Sequence, residues 1–150
     1  NSRQLAHRIV QQRDLTPILR TEQLVSALTR PTANANNLNP QEKKMLTLVF
    51  QALRIEVNDE LGALREMLIA AKDLLCPGGR IAILTYHSLE DRIVKNFLRS
   101  GNLDGEIEKD FYGNIQTPFR LIEKGLTASE EEIERNPRSR SAKLRIAEKI

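Results

Sequence analysis

A short and nearly unbroken apolar run, IAILTY at residues 81–86, differs from the preceding part of the chain, where apolar residues recur at spacings of three and four. The run is rich in branched side chains, follows Gly78 and Gly79, and precedes Ser88, so it predicts a strand rather than a helix. Because apolar and polar residues do not alternate in it, we interpret it as a central strand buried on both faces of a parallel sheet.

Helical spacing dominates the chain before this strand. Residues 3–12 and 22–28 each carry an apolar stripe, with Pro17 ending the first helix and Thr21 predicted to cap the second. The loop at residues 30–39 is rich in Pro, Asn and Thr and has little to bury, which indicates a domain boundary. A longer helical pattern follows it.

The longer pattern begins at Asn39, a predicted helix cap, with Pro40 at the first helical position, where a missing N–H costs nothing. Its apolar face continues to Leu68, and Gly62 is the expected break between two helices. A helix, a buried strand and more elements after it place the chain in the α/β class.

The pattern after the strand again predicts a helix and then two strands. Ser88 and Asp91 have the spacing of a capping motif, and the helix that they open ends at Gly101. A polar loop through residue 117 leads to predicted strands at residues 119–124 and 143–150, with a helical turn capped by Ser129 between them.

Composition sets wide limits on function. The net charge of +3 and the pI near 9.2 permit a nucleic-acid partner without requiring one. The single cysteine, Cys76, excludes an internal disulfide and a cysteine-rich zinc site, and we expect it to be buried as a small hydrophobe. No apolar run approaches the roughly 20 residues that a membrane helix needs, so we expect a cytoplasmic protein.

The end of the predicted strand is the first candidate site. In an open parallel sheet, ligands bind at the carboxyl ends of strands, where Tyr86, His87 and Ser88 lie. The following helix also offers free N–H groups to a polar ligand. Capping of that helix by Ser88 explains the same residues equally well. A serine hydrolase is disfavoured, because Ser88 lacks the G-x-S-x-G elbow and the second histidine, His7, lies in a distant helix.

Two further groups of polar residues lie on the long helical pattern. Gln51, Arg54 and Asn58 share one stripe because they are three and four residues apart, and they form either a hydrogen-bonding group or a solvated edge. Glu60 and Glu66 do not form a paired-carboxylate site by their spacing, since nothing brings a partner near either of them.

A basic loop near the end of the chain, NPRSRSAK at residues 136–143, is the second candidate site. Its cations, with the one just before it, are Arg135, Arg138, Arg140 and Lys143. Guanidinium groups among serines suit phosphate contacts, which favours RNA as the partner. The alternative is a surface loop whose arginines pair with the acidic run EEEIE just upstream.

The glycines of the chain are informative by their arrangement. None of the seven forms G-x-G-x-x-G or a P-loop, so no strand–turn–helix here is built to hold a dinucleotide or a triphosphate. The first residue is Asn1 rather than Met, and it falls directly into a helical pattern. We therefore expect the chain to be part of a longer protein.

Three stretches in order resemble the RsmH or MraW family: FQALRIEVNDEL at residues 50–61, PGGRIAILTYHSLEDRIVKNF at 77–97, and SEEEIERNPRSRSAKLRIAEK at 129–149. Members of that family use S-adenosylmethionine to methylate the N4 amino group of a cytosine in small-subunit ribosomal RNA. The resemblance implies a partial class I, Rossmann-like methyltransferase sheet with helices. Residues 1–38 would be the end of an inserted helical domain for substrate recognition, and 39–150 the carboxyl-terminal part of the methyltransferase domain.

The resemblance also implies roles for individual residues. His87 and Ser88 would line the pocket beside the cytosine or the methyl donor, Glu90, Asp91 and Arg92 would fix that turn, and the stripe of Gln51, Arg54 and Asn58 would brace it. Arg138 and Arg140, with Arg135 and Lys143, would grip RNA phosphates. The family's glycine-rich cofactor loop has no counterpart in this chain, so no cofactor residue can be carried over, and no metal is expected.

Two other functions stay open from the sequence. The first is a non-catalytic RNA-binding or assembly module that retains the methyltransferase tail. The second is half of a nucleotide-dependent oxidoreductase, which is weaker because no residue here reads a nicotinamide or a pyrophosphate. Parallel strands without neighbours would expose apolar edges, so self-association into a homo-oligomer is also expected.

Overall fold

The computed structural model describes residues 1–31 and 36–150. The helices are α1 (Ser2–Leu15), α2 (Thr21–Leu28), α3 (Pro40–Val57), α4 (Glu60–Leu74), α5 (Ser88–Ser100) and α6 (Glu130–Arg135), with a 3₁₀ helix at Pro137–Ser141. The strands are β1 (Arg80–Thr85), β2 (Glu108–Lys109), β3 (Ile115–Gln116), β4 (Phe119–Thr127) and β5 (Lys143–Lys149). This mixture of helices and small sheets confirms the predicted α/β class.

The chain divides into two compact units, Asn1–Asn58 and Asp59–Ile150. The division falls later in the chain than the domain boundary expected at residue 38, and part of that loop, residues 32–35, lies outside the described residues. Assignment of residues 1–38 to an inserted domain and of 39–150 to a methyltransferase domain stays a prediction.

The first unit contains α1, α2 and α3, which pack around three buried leucines, Leu24, Leu28 and Leu46. The predicted cap of α3 is confirmed, because the Asn39 side chain accepts a hydrogen bond from the N–H of Glu42 at 2.8 Å. The predicted cap of α2 is wrong by one residue. Arg20 is the N-cap, and the Gln23 side chain accepts from its N–H at 2.9 Å.

The break between two helices that was expected at Gly62 lies at residues 58–59 instead. Helix α3 ends at Val57 with Asn58 as its C-cap, and Asp59 takes a left-handed conformation with φ of 47° before α4 begins. Gly62 lies inside α4, where a Cβ atom would stand 2.2 Å from a carboxylate oxygen of Asp59. That carboxylate belongs to an exposed side chain that can move, so residue 62 does not require glycine, and the chain does not bend there.

The second unit is built on a three-stranded sheet in the order β1-β5-β4, with both pairs antiparallel. Arg80 pairs with Glu148 and Thr85 with Lys143 at the two ends of the β1–β5 ladder. Both predicted strands after α5 are confirmed as β4 and β5. Helix α5 covers one face of the sheet, and Phe97, Phe119 and Leu68 are almost wholly buried beneath it.

The described residues contain no parallel neighbour for residues 81–86, so the prediction of a central parallel strand buried on both faces stays untested. Strand β1 lies at the edge of this sheet and pairs antiparallel with β5 alone. Ile83 and Thr85 point into the core, whereas Leu84 and Tyr86 are 51% and 53% exposed. Within the described residues the second face of β1 has no covering layer, although its apolar sequence is suited to one.

Three smaller predictions, on the loop at residues 101–117, Cys76 and Ser129, can also be compared with the structure. The polar loop at residues 101–117 contains a short hairpin of β2 and β3. Cys76 is exposed, so the expectation that it is buried is wrong. Ser129 caps α6 as predicted, accepting from the N–H of Glu132 at 3.2 Å. Among the described helices, none combines the length and the apolar character that crossing a bilayer requires.

Candidate functional site

The junction between β1 and α5 is a tightly hydrogen-bonded turn. His87 is extended and caps α5, its Nδ1 accepting from the N–H of Glu90 at 3.4 Å. In return, Oε2 of Glu90 accepts from the N–H groups of Tyr86 at 3.0 Å and His87 at 3.3 Å. The predicted pairing of Ser88 with Asp91 is therefore wrong by one residue, and the capping pair is His87 with Glu90.

This correction leaves the Ser88 hydroxyl without a capping role. Ser88 is exposed at the first position of α5, and within the described ranges its side chain makes no hydrogen bond. The alternative in which Ser88 only caps a helix is therefore excluded by the geometry. A free hydroxyl at a helix N-terminus is suited to contact a polar ligand.

The imidazole of His87 has one ring nitrogen engaged and one poorly satisfied. Because Nδ1 accepts a backbone N–H, the neutral ring carries its proton on Nε2. Nε2 lies 3.2 Å from Oε1 of Glu90, but the two atoms are not aligned for a hydrogen bond, and Nε2 is buried without a partner in the part of the chain described. Within the described residues, Nε2 of His87 is thus a buried N–H group without an acceptor.

Glu60, His87 and Glu90 bring three potential metal-ligating atoms within 4.8 Å of one another. A metal requires a lone pair on Nε2, whereas the tautomer fixed by Nδ1 places a proton there. The arrangement therefore does not favour a bound cation at these three residues.

Asp91 is directed away from the open end of the turn. Its carboxylate accepts two hydrogen bonds from Arg145 on β5, from Nε at 2.7 Å and from Nη2 at 3.1 Å. These bonds lower the pKa of the Asp91 carboxyl below its ordinary value, although burial opposes the shift. Lys143 Nζ lies 3.7 Å from the same carboxylate. The Asp91 carboxylate therefore connects α5 to β5, whereas Arg92 is exposed, and a role of these residues in fixing the turn stays a prediction.

Arg145 is the residue that sequence reasoning missed. It lies 54 positions from Asp91, and the four candidate cations at residues 135–143, just before it, looked better suited to a ligand. No local spacing connects an arginine on one strand with an aspartate on a distant helix. The ladder between β1 and β5 makes that connection, since it places Lys143 opposite Thr85 at the start of the turn.

The predicted RNA-contacting cations fall into two groups. Arg135 lies 3.8 Å from Glu131, and Lys143 pairs with Asp91, so both already have acidic neighbours. Arg138 and Arg140 are exposed on the 3₁₀ helix, and among the residues with described positions neither has an ion-pair partner. The alternative of pairing with the upstream acidic run thus holds for Arg135 but not for these two.

The predicted stripe of Gln51, Arg54 and Asn58 lies at the end of α3 in the first unit. Gln51 is half-buried, Arg54 is exposed, and the N–H of Asn58 donates to the carbonyl of Arg54 at 3.0 Å. Whether this stripe braces the His87 turn stays a prediction. The first unit also contains an apolar groove of about 710 Å³ between α1 and α3, lined by residues that include Leu5, Leu48 and Leu53.

The family model described as the MraW methylase family matches residues 1–150. The chain belongs to the MraW methylase family. A curated relative from Parabacteroides distasonis, named ribosomal RNA small subunit methyltransferase H, is 63% identical over 111 residues, which are 73% of this chain and 36% of the relative. A relative of the same name from Bacteroides thetaiotaomicron is 56% identical over 150 residues, 99% of this chain and 48% of the relative.

These MraW relatives are longer than the chain, which spans about half the length of the Bacteroides thetaiotaomicron protein. Membership of a methylase family implies a methyl donor. The described residues do not fit one by themselves: Gly78 and Gly79 precede β1, Gly101 ends α5, and no glycine-rich turn follows β1. We therefore assign no residue of this chain to the donor.

Proposed function

We propose that this chain is the carboxyl-terminal part of an S-adenosylmethionine-dependent methyltransferase that modifies the N4 amino group of a cytosine in small-subunit ribosomal RNA. The observation that carries the proposal is the family match over residues 1–150, which includes the turn at the end of β1. The two relatives named above as ribosomal RNA small subunit methyltransferases support RNA as the substrate, and the proposed place of action is the cytoplasm.

The proposed reaction transfers a methyl group from a sulfonium to an amine nitrogen, which then loses a proton. Such a step depends on alignment and electrostatics rather than on a covalent nucleophile. We propose that the Nε2–H of His87 donates to an acceptor atom of the cytosine ring and that the Ser88 hydroxyl contacts the same base. Glu90 supports both by holding the backbone of Tyr86 and His87.

The proposed fold is part of a class I, Rossmann-like sheet. Strand β1 has one edge that no described strand covers, and Ala82 and Leu84 on its second face are exposed. Further strands and a helical layer would satisfy those backbone groups and bury those side chains. We propose that such elements belong to the part of the MraW proteins that lies outside this chain.

The proposed substrate must present a cytosine outside its base stack, because a buried base edge cannot reach the end of β1. Cations that hold the flanking phosphates would stabilise this arrangement. Arg138 and Arg140 suit that role because they are exposed and have no acidic partner among the described residues.

A chimera tests the function directly: the amino-terminal part of the Bacteroides thetaiotaomicron relative is joined to residues 1–150 of this chain. With S-adenosylmethionine and small-subunit rRNA, we expect N4-methylcytidine, identified by mass spectrometry of the digested RNA against standards methylated at other positions. The chain alone should give no product and no micromolar binding of S-adenosylmethionine in calorimetry. A chimera that binds the RNA but never methylates it would support the non-catalytic module.

Substitution of Arg138 and Arg140 by alanine is expected to reduce the salt dependence of RNA binding. Removal of each phosphate-binding cation should lower the slope of log K against log salt by about 0.7 to 0.9. Fluorescence anisotropy of the chimera with labelled rRNA, titrated at several salt concentrations, measures this slope. Arg135→Ala is the matched control, since Arg135 already lies beside Glu131 and should change the slope less. An unaltered slope in the double variant rejects these arginines as phosphate ligands.

A further inference from the structure

The Arg145 side chain joins three elements of the second unit. From β5 its guanidinium donates to both carboxylate oxygens of Asp91 on α5 and to the backbone carbonyl of Lys124 on β4. The side chains of Arg145 and Asp91 are 12% and 13% exposed, so this contact is largely shielded from water. A planar guanidinium with two parallel bonds to a carboxylate fixes orientation as well as distance.

The shape of β4 provides the third contact. Its register against β5 shifts between Glu123 and Leu126, which forms a bulge that contains Lys124 and Gly125. Gly125 has a φ of 140°, and a Cβ atom there would lie 3.4 Å from Nη2 of Arg145. The bulge therefore delivers a carbonyl acceptor and leaves room for the guanidinium, in the way that bulges commonly redirect groups beside functional sites.

Asp91 connects its ion pair with Arg145 to the turn that contains His87. Its backbone N–H donates to the carbonyl of His87 at 3.1 Å, closing the first turn of α5. Thr85, buried before the turn, donates from its hydroxyl to the carbonyl of Lys143 at 3.3 Å. The segment that contains His87 and Ser88 is thus attached to β5 on both sides, once through Thr85 and once through Asp91.

We propose that Arg145 is a positioning residue for the methylation reaction: through the Asp91 carboxylate it fixes the first turn of α5, and so the Nε2–H of His87 and the Ser88 hydroxyl, at the end of β1. The effect on methylation rests on the proposed function. The restraint that Arg145 places on His87 can be measured without any reaction. The two parts can therefore fail separately.

NMR of the 150-residue chain tests whether Arg145 restrains the turn that contains His87. In Arg145→Met we expect the imidazole signals of His87 to shift and broaden, and the amide of Asp91 to exchange faster with solvent, because the turn is released. His7, the second histidine of the chain and part of the first unit, is an internal reference whose signals should not change. Arg120→Met is the matched control, because Arg120 lies on β4 of the same sheet and pairs with Glu148 instead.

Kinetics of the chimera test the consequence for methylation. We expect Arg145→Met to lower kcat about tenfold to a hundredfold, as misplacement of reacting groups does, with the KM for RNA changed less than about threefold. Arg145→Lys should recover little of the activity, because a single ammonium cannot make two parallel bonds. Phe119→Leu is the control for stability, since Phe119 is buried in the core and pairs with Lys149, at the end of β5 opposite to the Lys143 that lies beside the turn.

The outcomes distinguish failure of the Arg145 proposal from failure of the proposed function. Unchanged His87 signals in Arg145→Met, or a loss of kcat no larger than that of a Phe119 variant with the same melting temperature, overturn the proposal. If the unmodified chimera methylates nothing, the proposed function fails, while the NMR result still decides whether Arg145 holds the turn. Shifted His87 signals together with a kcat-specific loss support both.

Discussion

Replacing Asp91 with alanine is expected to lower the free energy of unfolding of the chain by about 3 kcal/mol, because removal of one partner from a buried ion pair leaves the other charge uncompensated. The Arg145 guanidinium would stay beneath α5 with only the Lys124 carbonyl as a described acceptor. Urea denaturation followed by circular dichroism measures the change. Arg80→Ala, which removes a 68% exposed partner of Glu148, should have a much smaller effect.

The same pair makes the stability of the chain depend on pH. Hydrogen bonds from Arg145 lower the pKa of Asp91 in the folded chain below its ordinary value of 3.8, so the folded state binds this proton less readily than the unfolded state. Its stabilisation is therefore complete above that ordinary value and is lost as the pH falls through the folded pKa. The difference in stability between the unmodified chain and Asp91→Ala should shrink on acidification, and a constant difference down to pH about 2 would contradict the assignment.

Replacing His87 is expected to have the largest effect on methylation. In the chimera, His87→Ala and His87→Asn should both lower kcat about a hundredfold, the usual loss when one donor to a reacting group is removed. Neither variant retains an N–H donor at the position of Nε2, although the hydroxyl of Ser88 stays in place. Single-turnover methylation of small-subunit rRNA measures the loss without interference from product release.

The two His87 variants differ in what they do to α5. Alanine removes the side chain that accepts from the N–H of Glu90 and should lower stability by about 1 kcal/mol, whereas asparagine is a good N-cap and should preserve it. Loss of methylation in both variants, with loss of melting temperature in alanine alone, separates the donor role from the capping role. If asparagine restores methylation as well, His87 serves the helix and the proposed donor role is wrong.

The sequence predicted where the candidate site lies, but not which of its side chains are hydrogen-bonded to one another. A run of branched residues followed by His87 and Ser88 identifies the end of a strand and the start of a helix, and both are present. The identity of the cap was not predictable, because S-x-x-D at Ser88 and a His–Glu pair one residue earlier have equal spacing. Arg145 decides between them, since it draws the Asp91 carboxylate away from the helix terminus.

The basic loop shows a similar limit. The sequence placed its four cations within nine residues of one another without distinguishing them. The structure separates Arg138 and Arg140, which face solvent, from Lys143, which contributes to the field around Asp91. Whether a cation is available to a phosphate depends on acidic groups that come from other elements, and spacing along one segment does not contain that information.

Local sequence patterns were enough to predict the elements of this protein: helix caps such as Asn39 and Ser129, the strand at residues 81–86, and the motifs of the MraW family. These features depend on contacts between residues a few positions apart. The folded arrangement was needed to show that β1 lies at the edge of an antiparallel sheet among the described residues, that His87 rather than Ser88 caps α5, and that Arg145 binds Asp91. Those features depend on strand pairing and on the burial of charges that lie far apart in the chain, and only the folded chain brings these together.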